Sequence, residues 1–134
     1  MKKKLFICEG NVGRSQMAEG FWKHHFGEDS AMSAGIDDVG EKYGHQPRAD
    51  IISVMHEKGI DISQQKIKQI TQEMFNEVGS LVILCDPDLL PDFVKLSGLN
   101  IIFRQVADPF ECSLEGVRSV RDQIEEIILE LIQS

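Results

Sequence analysis

Cysteine is scarce in this sequence, and long apolar runs are absent from it. The 134 residues include three cysteines, an odd number without the spacing of a disulfide framework, which indicates a reducing compartment, by default the cytoplasm. No apolar run approaches the roughly 18 residues of a membrane span. The apolar stretch that follows the lysines at residues 2–4 is too short for a signal peptide. We therefore expect neither a membrane segment nor a secretory leader.

Basic residues are also few. Fourteen Lys and Arg stand against 22 Asp and Glu, a formal net charge of −8. Binding to nucleic acid or to an anionic membrane surface requires a basic stripe, and none is visible, so neither partner is expected. The histidines at positions 24, 25, 45 and 56 show no metal-ligand spacing with the cysteines, so we expect no metal and no cofactor. The length predicts one domain covering residues 1–134.

Segments typical of strands alternate with segments typical of helices. The predicted strands are 4–8, 31–35, 81–85 and 100–104, and the predicted helices are 14–26, 47–58, 67–77 and the chain from Leu114 onward. This alternation predicts an α/β fold in which helices cover both faces of a parallel sheet. Ligands bind such sheets at the carboxyl ends of the strands.

The segment Cys8–Ser15 predicts an anion-binding loop between a strand and a helix. Gly10 and Gly13 allow the backbone to approach an anion closely, and Asn11 is the non-glycine residue that best tolerates the left-handed region. An arginine, Arg14, and the positive end of the helix close the loop. The loop is therefore a candidate site for a tetrahedral oxyanion.

Cys8 is expected at the floor of this loop. The partial positive charges that hold an oxyanion also favour a thiolate, which makes Cys8 a candidate nucleophile. Ser15 can donate its hydroxyl to the Cys8 sulfur or cap the helix, and the two roles are compatible. The alternative for Cys8 is a small buried residue at a strand end. The loop that follows it favours an enzyme.

The octapeptide Cys8–Ser15 resembles the signature loop of the low-molecular-weight protein tyrosine phosphatases and of the arsenate reductases that share their fold. The resemblance extends over nearly the whole chain through Gln16–Gly20, Ser33–Gly35, Gly59–Ser63 and Asp108–Pro109. It implies a three-layer sandwich with a four-stranded parallel sheet in the order 2-1-3-4. It also implies that Ser33 helps to hold Asn11 in its strained conformation.

A phosphatase mechanism is our first interpretation. Phosphate, sulfate or arsenate would bind to the loop residues, which are Glu9, Gly10, Asn11, Val12, Gly13, Arg14 and Ser15. Cys8 would form a cysteinyl-phosphate, and Asp108 would act as general acid on a phosphotyrosine protein or a small aryl phosphate. The alternative for Asp108 is a turn-forming residue before proline. By resemblance, the loop that holds Glu41, Lys42 and Tyr43 borders the cleft and shapes substrate choice.

Other positions depart from the phosphatase pattern. Gly13 stands where the family usually has a second cysteine, so Cys8 cannot form a disulfide inside the loop. Gln16 replaces the proline common among the phosphatases, and Phe110-Glu111 stands where many of them carry tyrosines. These flanking residues lean toward the arsenate reductases.

Arsenate reduction requires a relay of thiols. Cys85 follows its strand as the second relay cysteine of the thioredoxin-coupled reductases does, but residues 86–92 contain no third cysteine and include two prolines. Cys112 could substitute only if its Cα came within about 7 Å of its partner. The alternative for Cys85 is a buried strand residue, and the alternative for Cys112 is an incidental loop thiol.

Three functions therefore remain open. We favour the phosphatase, because Cys8, Arg14 and Asp108 suffice for it. An arsenate reductase would use Cys8 and Cys85 with an unrecognised third thiol or an external one, such as a glutaredoxin-type partner or a small thiol. An idle oxyanion-binding module is disfavoured, because binding alone would not need Cys8.

Overall fold

A four-stranded parallel sheet forms the centre of the protein. The computed structural model describes residues 2–134. The strands are β1 (Lys3–Cys8), β2 (Ala31–Gly35), β3 (Val78–Ile83) and β4 (Asn100–Phe103). Their spatial order is β2-β1-β3-β4, which confirms the predicted α/β class and strand order.

Helices follow the strands along the chain. They are α1 (Arg14–Phe26), α2 (Ala49–His56), α3 (Asp92–Lys95) and α4 (Leu114–Gln133), with short 3₁₀ turns at Glu28–Ser30, Glu41–Tyr43, Gln72–Asn76 and Pro87–Leu89. α1 packs against β1, β2 and α4, and α2 packs against α4. Within residues 2–134, no helix is both long enough and apolar enough to cross a membrane.

The two central strands supply the middle of the hydrophobic core. The runs Leu5–Ile7 in β1 and Leu81–Ile83 in β3 are fully buried. Such continuous apolar runs are typical of parallel strands that are covered on both faces. β4 lies at the edge of the sheet and is half-exposed.

One predicted helix is wrong. The apolar spacing over residues 67–77 predicts a helix, but this stretch contains only an isolated bridge from Gln69 to Gly35 and then a short 3₁₀ turn. The reason is that distant acceptors take its backbone donors. The N–H of Lys68 donates to Asn11 Oδ1 (2.9 Å), and that of Ile70 donates to the carbonyl of Gly35 (2.8 Å). These donors are no longer available for a helical ladder.

An ion cluster at Glu57 joins the end of α2 to α4. The Glu57 carboxylate accepts hydrogen bonds from Arg118 Nη2 (2.7 Å) and Arg121 Nη1 (2.7 Å). The bonds from Arg118 and Arg121 lower the pKa of Glu57 to about 2. Because the ionised form is the one bound in the folded protein, the cluster favours folding wherever Glu57 is ionised.

The cluster predicts a specific loss of stability in acid. A carboxyl whose pKa is depressed on folding contributes stability above its unfolded pKa and loses it as the pH falls through its folded pKa. Unfolding by urea should therefore show that Glu57→Gln lowers the stability at pH 7, and that its difference from wild type shrinks between pH 4.5 and 2. Glu126→Gln, an exposed change on α4, is the matched control. A difference that stays constant with pH would contradict the assignment.

Candidate active site

A cleft opens at the carboxyl end of β1, and Cys8 lies at its floor. The cleft encloses about 140 Å³, enough for a tetrahedral oxyanion. Five residues of the predicted anion-binding loop line it, namely Glu9, Gly10, Val12, Gly13 and Arg14. The other wall residues are Asp37, Val39, Lys42, Tyr43, Arg48, Asp108, Pro109 and Phe110. The structure thus brings Cys8, Arg14, Asp108 and the Tyr43 loop to one place.

The sulfur of Cys8 is held by two hydrogen-bonding groups. The backbone N–H of Asn11 donates to Cys8 Sγ at 3.3 Å, and Ser15 Oγ lies 2.9 Å from the same sulfur. Ser15 Oγ already accepts a hydrogen bond from Asn11 Nδ2 (2.7 Å), so its own proton is free to point at the sulfur. The sulfur of Cys8, the predicted nucleophile, therefore lies next to two potential hydrogen-bond donors.

Asn11 lies behind the loop rather than in the cleft, and its side-chain amide is saturated. Nδ2 donates to Ser15 Oγ (2.7 Å) and Ser33 Oγ (2.8 Å), while Oδ1 accepts from Gln16 Nε2 (3.0 Å) and the N–H of Lys68 (2.9 Å). The backbone of Asn11 has φ +59°, in the left-handed region. The four hydrogen bonds hold this unfavourable conformation in place.

Further polar residues form hydrogen bonds with Asn11 or with its partners. Ser33 Oγ donates to Glu19 Oε1 (2.5 Å), and Glu19 pairs with Lys23 on the same helix. Gln16 Nε2 also donates to the carbonyl of Asn11 (3.0 Å). Gln65 Nε2 in turn donates to Gln16 Oε1 (2.7 Å). The shape of the loop is thus fixed by a connected network of side chains.

Arg14 and Asp108 face each other across the cleft. The guanidinium of Arg14 is buried, and its Nη1 donates to the carbonyl of Val106 (2.9 Å). Arg14 Nη2 lies 3.7 Å from Asp108 Oδ2, and the side chain of Asp108 is 55% exposed. Arg14 is therefore held rigidly at the anion position, whereas Asp108 lies at the solvent side, where it can exchange protons.

Gly35 allows β2 to approach the anion-binding loop. A Cβ atom at this position would lie 2.6 Å from the carbonyl carbon of Gly10 and 2.8 Å from the nitrogen of Asn11. Both contacts are with backbone, which cannot move aside cheaply. The end of β2 therefore packs directly against the loop, and only glycine fits there.

Cys85 lies beside Cys8 but outside the cleft. The N–H of Leu84 donates to the carbonyl of Ile7 (2.8 Å), so the pairing of β1 with β3 continues to this point. Cys85 lies two residues beyond Ile83, the last residue of β3, and its side chain is buried. Burial raises the pKa of the Cys85 thiol to about 11, and the charge of Cys8 adds to this.

The third cysteine and the histidines lie elsewhere. Cys112 is exposed and does not line the cleft. Among residues 2–134, no group of three or more His, Cys, Asp or Glu side chains is close enough to hold a metal ion. The structure thus places one cysteine at the cleft, a second behind it and the third at the surface.

Several site residues carry no local signal in the sequence. Gln16 and Gln65 are brought to Asn11 only by tertiary packing. Arg48, just before α2, reaches the carbonyl of Pro109, 61 positions away. The proline at position 47 predicts a helix start, but it does not predict which groups the side chain of Arg48 binds.

The geometry defines an α/β protein with a cysteine-floored oxyanion cleft at the carboxyl edge of a parallel sheet. The family model described as low molecular weight phosphotyrosine protein phosphatase matches residues 3–134, and the chain belongs to this family. The family expected from the motifs is therefore confirmed.

Relatives of this chain include arsenate reductases. The arsenate reductase of Halalkalibacterium halodurans is 43% identical over 88 residues, which cover 63% of this chain and 59% of that protein. The glutaredoxin arsenate reductase of Synechocystis sp. is 39% identical over 139 residues, which cover 98% of this chain and 97% of that protein. A solved structure of an arsenate reductase in the phosphate-binding state has 33% identity and a TM-score of 0.80, covering 99% of this chain and 98% of that one.

The interpretation of this protein as a protein tyrosine phosphatase is wrong. The relatives at 43% and 39% identity are named arsenate reductases. The tyrosine phosphatase amsI of Erwinia amylovora has a TM-score of 0.84 but 19% identity, over 99% of this chain and 93% of that one, a likeness that shows the fold alone. Cys8, Arg14 and Asp108 suit both chemistries, so the motif could not separate them.

A methyl group at Gly35 should damage the anion-binding loop. Because the added Cβ would meet loop backbone at 2.6 Å, Gly35→Ala should displace Gly10 and Asn11. Overpacking costs about 1–3 kcal/mol, so phosphate should bind about tenfold more weakly by isothermal titration calorimetry. Gly79→Ala, whose Cβ would meet only the Lys2 side chain at 3.2 Å, is the control. Equal affinity in both variants would refute the close-approach argument.

Proposed function

We propose that this protein reduces arsenate to arsenite with Cys8 as nucleophile and Cys85 as the second thiol. The observation that carries the proposal is the position of Cys85, a buried thiol just beyond the end of β3, the strand that pairs with the one ending in Cys8. Hydrolysis of a phosphate ester would have no use for such a thiol. The arsenate reductases among its relatives support the same chemistry.

The first step is attack by Cys8 on arsenic. Arsenate occupies the loop, where Arg14 offers a charged donor to its oxygens. The Cys8 thiolate forms a bond to As(V), and one As–O bond breaks. Asp108, opposite Arg14, supplies a proton so that the departing oxygen leaves as water. The product is an arsenic ester of Cys8.

The second step reduces arsenic. Cys85 loses its proton and attacks Cys8 Sγ, so that an S–S bond forms and the S–As bond breaks. The electron pair of that bond stays on arsenic, which changes from As(V) to As(III) and leaves as arsenite. The two cysteines are oxidised to a disulfide, so the electrons balance.

An external thiol completes the cycle. Two thiol equivalents reduce the Cys8–Cys85 disulfide and are themselves oxidised to a disulfide. Cys112 is exposed and does not line the cleft, so we do not assign it the role of a third relay cysteine. A glutaredoxin-type protein or a small thiol is the partner that fits, in line with the name of the Synechocystis relative. A reducing cytoplasm is the compartment in which such thiols are maintained.

A single turnover without external thiol tests this function. Reduced wild-type protein mixed with arsenate should release one arsenite per chain and lose two hydrogens in a Cys8–Cys85 disulfide, which peptide mass spectrometry can locate. Cys8→Ser should release none, and Cys85→Ser should stop before the disulfide. Cys112→Ser is the control and should behave as wild type. Absence of arsenite release by the wild type, or release by Cys85→Ser at the wild-type rate, would refute the proposal.

The second step should accelerate as the pH rises. Because the pKa of Cys85 is raised to about 11, its thiolate is a small fraction at neutral pH and grows about tenfold per pH unit below that value. Single-turnover disulfide formation, followed by acid quench and mass spectrometry, should therefore rise steeply from pH 7 to 9. A flat profile over this range would show that attack by Cys85 does not limit the turnover.

A further inference from the structure

The segment that carries Asp108 has no regular secondary structure. It runs over residues 104–113, between β4 and α4. Three hydrogen bonds fix it ahead of Asp108. The N–H groups of Arg104 and Val106 donate to Ile83 O (2.9 Å) and Leu84 O (2.9 Å), and the carbonyl of Val106 accepts from Arg14 (2.9 Å). After Asp108, Pro109 is buried, and one described side chain from the rest of the site donates a hydrogen bond to the segment.

That side chain is Arg48. Its Nη2 donates to the carbonyl of Pro109 at 3.3 Å, and its guanidinium lies 5.7 Å from the ring centre of Phe110. Phe110 in turn donates its N–H to Asp108 Oδ1 (3.0 Å). The carboxyl of Asp108 is thus oriented by the N–H of Phe110, which lies directly after the residue that Arg48 binds.

Arg48 is itself firmly placed. Its Nε and Nη2 donate to the two carboxylate oxygens of Asp50 at 2.7 and 3.0 Å, a bidentate pair with fixed geometry. Its backbone N–H donates to the carbonyl of Val12 (3.3 Å) in the anion-binding loop. Arg48 therefore joins three parts of the cleft: the loop, the start of α2 and the Asp108 segment.

The pair with Asp50 also decides what Arg48 does in the cleft. Arg48 lines the same cleft as Arg14, so an unpaired guanidinium there would compete for the oxyanion. Asp50 neutralises it and occupies two of its donors, whereas the described partners of Arg14 are a carbonyl and the more distant carboxylate of Asp108. The arrangement favours Arg14 as the residue that binds the anion and Arg48 as a structural clamp.

We propose that Arg48, fixed by Asp50, is a positioning residue that holds Asp108 over the Cys8 cleft. Its catalytic consequence rests on the proposed arsenate reduction, in which Asp108 supplies the proton to the leaving oxygen. The clamp itself is a property of the fold and is testable without turnover.

Hydrogen exchange measured by mass spectrometry tests the clamp without any activity. Arg48→Met removes the donors while keeping the chain length, and should speed exchange in residues 107–112 at least threefold while leaving residues 9–15 unchanged. Asp50→Asn should have a smaller effect in the same direction. Arg104→Met, which removes an exposed guanidinium from the start of the same segment, is the control and should leave residues 107–112 as in wild type. Unchanged exchange in Arg48→Met would overturn the proposal.

A double-mutant cycle in arsenite release tests the link to Asp108. At pH 9, where attack by Cys85 is fastest, Arg48→Met should lower kcat about tenfold, with the KM for arsenate and the Kd for phosphate within twofold of wild type, because misplacing a catalytic group slows chemistry more than binding. Combined with Asp108→Asn, it should cost nothing more than Asp108→Asn alone. A raised KM, or additive losses, would show that Arg48 acts on the substrate and would overturn the positioning role. If the wild type released no arsenite, the proposed function would fail, and the exchange measurement would still decide the clamp.

Discussion

The hydrogen bonds of one amide group underlie the whole site. The side chain of Asn11 makes all four hydrogen bonds available to an amide, and these partners come from α1, β2 and the chain near Lys68. For a residue other than glycine, a left-handed backbone conformation costs on the order of 1 kcal/mol or more. Such a conformation persists only where the surrounding structure holds it. The backbone N–H of Asn11 also donates to Cys8 Sγ. The left-handed conformation of Asn11 therefore determines where this donor lies relative to the sulfur. Loss of any one partner would leave a buried polar atom unpaired and loosen the sulfur's environment.

The two sides of the cleft, the anion-binding loop and the segment that carries Asp108, differ in how firmly they are held. Beneath the loop, a continuous network runs from Ser15 through Asn11 and Ser33 to Glu19, and every member is buried. Above it, the exposed Asp108 depends on a few contacts of its segment. This division suits the proposed chemistry, since a nucleophile and an anion site must be preorganised, whereas an acid must exchange protons with solvent.

The sequence predicts those features that depend on neighbours along the chain. β2 has the predicted limits, α1 ends just before Gly27 as predicted, and the segment from Cys8 to Ser15 runs from the end of β1 into the start of α1. The predicted helix over 67–77 fails because Asn11 and Gly35, more than 30 positions away, take its donors. Gln65 and Arg48 likewise act on partners that only the fold brings near. Where a contact is set by tertiary structure, the spacing of apolar residues along the sequence does not predict it.

The same reasoning explains why the phosphatase interpretation failed. The motif shows a nucleophile, an anion site and an acid, and both reactions begin with attack of Cys8 on a tetrahedral oxyanion. They diverge only afterwards. In the phosphatase reaction, water attacks the phosphorus atom bound to Cys8, whereas in arsenate reduction a thiol attacks the sulfur of Cys8. Attack by a thiol requires a second cysteine that lies behind the Cys8 sulfur and is shielded from the cleft.

Cys85 meets that requirement through its burial. Its proximity to Cys8 depends on the pairing of β1 with β3, which no local pattern reveals. The raised pKa of its thiol keeps it protonated while the oxyanion binds, so that it does not add a second negative charge behind the loop. With Gly13 beside Arg14, the loop offers Cys8 no thiol of its own. Cys85 is then the buried thiol to which our proposal assigns the oxidising equivalents.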